Sequence, residues 1–132
     1  MPKLLSILSC SAAMFWALTA AASDDIAGTY EGVIWSGIDT AGTTVFSVSN
    51  SGKISGVYEF DDDNGLETGE LTACKLTGVN LYCIWNDKYG SGDFNVEFSA
   101  DFSSFDGLWF DAVGDLQNRG NAGGHTWNGQ KS

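Results

Sequence analysis

The sequence predicts an all-β fold, a small eight-stranded antiparallel barrel in meander order, and three observations predict it. Apolar and polar residues alternate with a period of two along most of the chain, and no segment holds a helical period. Gly, Asn, Asp and Ser gather in short clusters between the alternating runs, as hairpin turns require. The pattern also occurs twice, about fifty positions apart. Trp35 and Gly42 match Trp85 and Gly92, and Phe46 and Val48 match Val96 and Phe98. After one inserted residue, Ile54, Gly56 and Tyr58 match Phe105, Gly107 and Trp109. An internal repeat of this kind describes two four-strand halves of one architecture.

Residues 1–22 read as a secretory signal peptide. Lys3 supplies a positive start, Leu4 to Leu18 is mostly apolar, and Ala20-Ala21-Ala22 offers small residues for cleavage before Ser23. The apolar run is short for a membrane span, and serines interrupt it. Residues 23–132 are then expected as a single β-barrel domain with no membrane span, secreted or periplasmic.

Thr29–Ser36, Thr43–Ser49 and Lys53–Phe60 are the first three expected strands, with Asn50-Ser51-Gly52 turning the second into the third. Asp61 through Gly65 leads to Leu66–Leu76, and Thr77-Gly78-Val79-Asn80 leads to Asn80–Asn86. Asp93–Ser99 is the cleanest strand, because its polar and apolar residues separate onto two faces. Ala100 through Ser103 leads to Ser104–Asp111, residues 112–124 form a Gly/Asn-rich loop, and His125–Lys131 closes the series.

A two-residue loop at Gly78-Val79 pairs Leu76 with Leu81, Lys75 with Tyr82 and Cys74 with Cys83. Opposed residues lie ~4.5 Å apart at Cα, within disulfide reach, and an exported compartment oxidises such a pair. The same pairing puts Leu76, Leu81 and Trp85 on the cysteine face, turned inward, and the repeat extends that face to Val33 and Trp35. An open sheet this apolar would expose its edges, so closure into a barrel is expected. A two-sheet sandwich is the alternative.

Seventeen Asp and Glu face six Lys and Arg, a net charge of −11. Phosphate-bearing partners need clustered cations, so nucleic acid is excluded and an anionic membrane is repelled. Eight Phe, four Tyr and five Trp argue against disorder and supply a core.

His125 is the only histidine and no nucleophile elbow accompanies it, so no catalytic residue is nominated. The run Asp61-Asp62-Asp63-Asn64-Gly65-Leu66-Glu67 sets Asp61, Asp63 and Glu67 beside a glycine, the ligand types Ca²⁺ takes. EF-hand spacing fails there, with Phe60 and Leu71 at the first and last ligand positions, and a solvated hairpin turn uses the same residues. No cofactor is expected. The ligand-binding candidates are aromatic: Tyr30, Trp35, Tyr58, Trp85, Trp109 and Trp127. Flat rings with polar tips suit small ligands, and they equally suit the packed interior of a small barrel.

Gly28-Thr29-Tyr30, Gly42-Thr43-Thr44-Val45-Phe46-Ser47-Val48 and Gly52-Lys53-Ile54-Ser55-Gly56-Val57-Tyr58 resemble the opening strands of the avidin/streptavidin family. Those proteins are secreted eight-stranded up-and-down barrels that bind biotin at one mouth. The resemblance spans residues 28–58 and implies the barrel, with Thr43 and Tyr58 as hydroxyl ligands. Tyr30 stands for the family's first-strand Trp, Gly32 for its Asn, and Phe60 for a ligand serine.

The leading expectation is an exported, non-catalytic barrel that binds a small ligand at its mouth. A protein-interaction or inhibitor module, acting through the acidic turns or loop 112–124, is the alternative, and a small hydrolase the second. The site is expected where the halves differ, at Tyr58 against Trp109, or around the acidic turn.

Overall fold

The computed structural model describes residues 24–132, and the expected signal peptide at residues 1–22 lies outside them. Eight strands follow in chain order: β1 (Gly28–Trp35), β2 (Asp39–Val48), β3 (Ile54–Asp62), β4 (Gly65–Thr77), β5 (Asn80–Asp87), β6 (Gly90–Phe98), β7 (Ser104–Trp109) and β8 (His125–Lys131). Each pairs antiparallel with the next, and β8 returns to β1, so the sheet closes on itself as a barrel. The sandwich alternative falls away. The Gly/Asn-rich loop before β8 holds one short helix, α1 (Asp115–Arg119).

Alternation builds the interior directly. Tyr30 and Ile34 of β1, Thr44 and Phe46 of β2, Tyr58 and Phe60 of β3, Leu71 of β4 and Leu81 of β5 are buried. So are Phe94, Val96 and Phe98 of β6, Phe105 of β7 and Trp127 of β8. Their neighbours Glu31, Glu59, Glu70 and Glu97 are exposed on the outer face. An eight-strand bore is just wide enough for side chains to fill. At one end they fill it: Tyr30, Phe46, Phe98 and Phe105 meet with ring centroids 5.4 to 5.8 Å apart, mostly edge-on. Such pairs add ~0.5–1.5 kcal/mol each beyond burial. The Tyr30 hydroxyl lies 3.0 Å from the Ile26 carbonyl and 2.9 Å from that of Phe102. It thereby ties the N-terminal segment to the β6–β7 turn and seals this end.

The β4–β5 hairpin pairs Lys75 with Tyr82, Leu76 with Leu81 and Thr77 with Asn80, as expected. Cys74 and Cys83 are disulfide-bonded with Cα atoms 4.1 Å apart. Beyond the bridge the register shifts at a β-bulge between Thr72 and Lys75, where Ala73 takes a left-handed φ of 51°.

The repeat holds for facing at every matched position but one. Gly92 opposes Trp85 across β5–β6, whereas Gly42 opposes Gly32, three residues before Trp35, across β1–β2. An odd slip of register turns a strand over. Tyr30 and Ile34 therefore point inward, and the expected inward placement of Val33 and Trp35 is corrected. Trp35 sits half-buried at the rim instead.

Candidate functional site

The end opposite the Tyr30 seal is open. There the β1–β2, β3–β4 and β5–β6 turns and the long loop before β8 surround a cavity of about 350 Å³. Trp35, Tyr58, Trp85, Trp109 and Trp127 line it, with Phe60, Tyr89, Asp87 and Asp111 among the others. Every tryptophan among the described residues is in that lining.

Trp127 and Tyr58 form the floor. The Trp127 indole N–H donates to Thr44 Oγ1 at 3.0 Å, and its ring stands edge-on to Tyr58 and to Phe94, each at 4.7 Å. The Tyr58 ring lies over Gly69 of the next strand, where an added Cβ would stand 2.2 Å from Cζ. A glycine inside a strand weakens it unless something needs the space, and here a ring does. The Tyr58 hydroxyl donates to Asp87 Oδ2 at 2.8 Å, and the other Asp87 oxygen accepts the Tyr89 N–H at 2.8 Å. Burial, then the hydrogen bond to Asp87 and its charge, push the Tyr58 phenol far above its ordinary range. Tyr58 stays protonated.

Trp85 and Trp109 form one wall, edge-on at 5.5 Å. Trp85 Nε1 donates to the Phe110 carbonyl at 2.8 Å. That carbonyl can approach because Gly92 has no Cβ, which would lie 2.0 Å away. Trp109 Nε1 donates to the Trp35 carbonyl at 3.1 Å. The His125 ring stacks on Trp35 at 4.4 Å and 8°, lies 4.5 Å from Trp109, and brings Nε2 to 3.5 Å from Asp111 Oδ2.

At the rim the Tyr89 hydroxyl donates to Asp62. Lys88 Nζ reaches Glu67 at 2.6 Å and Asp62 at 3.8 Å. The Asn64 N–H first, then Tyr89 and Lys88, hold the Asp62 carboxyl below its usual range. The acidic turn is thus knitted to the β5–β6 turn. Glu67 is engaged by Lys88 while Asp61 and Asp63 are exposed, and no three His, Cys, Asp or Glu among the described residues are grouped to hold a metal ion. Asp61, Asp63 and Glu67, the residue types Ca²⁺ takes, are thus not brought together as one such group.

A buried carboxylate positions the long loop. Asp93 points out of the barrel, but the loop covers it. It accepts from the Tyr82 hydroxyl at 2.6 Å, the Gly114 N–H at 3.1 Å and the Leu116 N–H at 2.8 Å. Burial works to raise its pKa, and the Tyr82, Leu116 and Gly114 hydrogen bonds outweigh it and leave the carboxyl below its ordinary value.

Two sequence candidates lie elsewhere. Tyr30 is in the sealed end, because β1 carries it inward at the far end from the cavity. Thr43 faces outward between Glu31 and Glu59, and it is Thr44, in step with the inward Phe46, that reaches the floor. Asp87, Tyr89 and Asp111 were not nominated. Asp87 carried a signal, since it lies two residues beyond the inward Trp85 and shares its face. Asp111 carried none, because its place depends on the loop that Asp93 anchors.

No protein-family model, curated protein or solved structure matches this chain. The chemistry is legible from the pocket alone. The N–H groups of Trp85, Trp109 and Trp127, three of the four lining tryptophans, are satisfied within the protein, and the lining presents ring surface, the Ser36 hydroxyl, the Asp87 and Asp111 carboxylates and no Lys or Arg.

Proposed function

We propose that the chain is an exported, non-catalytic β-barrel that takes a small molecule into the aromatic mouth. The observation that carries this reading is the asymmetry of the bore: rings pack one end shut, while Trp35, Tyr58, Trp85, Trp109 and Trp127 converge around a cavity at the other. A concave, mostly apolar pocket with a few fixed polar groups is what small-ligand sites share. Export is supported by the signal-like leader and the disulfide. Among the described residues no helix is long and apolar enough to cross a membrane.

One observation favours a protein partner as the second reading. Exposed Ile38, Tyr89 and Val113 lie in the β1–β2 turn, the β5–β6 turn and the long loop, and exposed Leu66 stands at the start of β4 beside the β3–β4 turn. A hydrolase has less support. Asp87 and Asp111 share the cavity, but both Asp87 oxygens accept hydrogen bonds and the Asp111 side chain is 73% exposed.

The test is intrinsic fluorescence of the mature protein against biotin, sugars, small hydrophobes and organic cations. With every described tryptophan in the cavity, an occupant is expected to shift emission and raise the melting temperature. A panel that moves neither overturns the ligand-binding reading.

A further inference from the structure

We infer that the mouth pocket selects an organic cation, an alkylammonium head group, over neutral and anionic molecules of the same shape. The inference rests on the small-ligand reading and adds the chemistry of the ligand. An anion needs donors, and the pocket has spent most of its own. The three indole N–H groups of Trp85, Trp109 and Trp127 go to protein acceptors, and the Tyr58 O–H goes to Asp87. No Lys or Arg lines the cavity.

A cation finds the opposite. Aromatic faces carry negative quadrupole potential and attract a cation within ~6 Å, most strongly when it is desolvated. Asp87 and Asp111 add full charges in the same lining, and the net charge of −11 raises the local concentration of cations. The rim already shows this chemistry. Lys88 Nζ sits 5.0 Å from the Tyr89 ring centroid, between Glu67 and Asp62. Those two carboxylates hold Lys88, so it does not neutralise Asp87 or Asp111. A small metal ion binds water and carboxylates more strongly than indole, so aromatic walls favour an alkylated, weakly hydrated cation.

Choline and its neutral isostere 3,3-dimethyl-1-butanol separate charge from shape. Titrated into the mature protein by calorimetry, choline is expected to bind about tenfold or more tightly than the isostere, the scale of a desolvated cation–π contact. Asp111→Asn, at an exposed position, is expected to weaken choline severalfold and leave the isostere unchanged. Asp87→Asn, checked by near-UV circular dichroism, should do the same. Phosphatidylcholine vesicles form a second arm that separates a lipid-borne head group from a free one, and an Asp111-dependent response in either arm supports the inference. Equal binding of choline and isostere overturns charge selection and leaves the pocket reading standing. So does binding of only neutral or anionic members of the wider panel. Silence across the whole panel overturns both.

Discussion

Tyr58 holds its place in the floor through three neighbours, and each can be tested singly. Its ring needs Gly69, its hydroxyl needs Asp87, and its edge meets Trp127. At Gly69 a new Cβ would lie 2.2 Å from Tyr58 Cζ, 2.3 Å from its hydroxyl oxygen and 2.7 Å from the Asn86 carbonyl, so the ring has to leave. Gly69→Ala is expected to cost about 1–3 kcal/mol in denaturant unfolding, the range for overpacking, and to abolish the ligand response. Gly56→Ala is the control. Its Cβ meets Leu71 at 3.1 Å and Phe46 at 3.3 Å, contacts that yield by a few tenths of an ångström, so its loss should be smaller. Equal losses at both positions would refute this account of the floor. At this scale the sequence told which residues were aromatic and much of which way they faced. Alternation also puts Thr44, not Thr43, on the face of Phe46, and Thr43 came in only through the family resemblance.

Among the elements, β6 both closes the wall and anchors the loop that completes the rim. Asp93 is its hinge pin, with Tyr82, Gly114 and Leu116 donating to one carboxylate. Its folded pKa lies below the ordinary value, so its contribution is present above the unfolded pKa of about 3.9 and is lost as pH falls through the folded value. Amide exchange at Leu116 should therefore be slow at neutral pH and lose protection in acid, well before the barrel strands do. In Asp93→Asn an amide NH₂ would confront one of those donors. Fast Leu116 exchange already at pH 7, with strand amides unchanged, is the expected outcome. Unaltered Leu116 protection would show that the loop is held by something else. The strands themselves were legible in alternation and turn residues. The anchor was not, because period-two logic assigns Asp93 to the solvent face and only the returning loop buries it.

For the whole molecule, the fifty-residue echo marked two halves of one closed barrel, and the cysteines fixed the hairpin at their junction. The bridge closes a short loop, nine positions apart in sequence, and should stabilise by ~2–3 kcal/mol. Cys74→Ala with Cys83→Ala is expected to lower the unfolding free energy from denaturant titration by that amount while far-UV circular dichroism stays the same. A variant that fails to fold would mean that the bridge, not the ladder, defines the barrel. The two halves are not equivalent in the structure, since the three-residue slip in β1 sends Trp35 to the rim while Trp85 stays inside. That slip makes the mouth lopsided, and no pattern of residue types announces it. Closure has one more consequence. With β8 paired to β1, neither strand presents an unpaired row of N–H and C=O groups to the outside. Among the described residues a partner therefore meets no open barrel edge to which it could add a strand, and copies of the barrel offer none on which to template fibres. Recognition is left to side chains and turn tips alone.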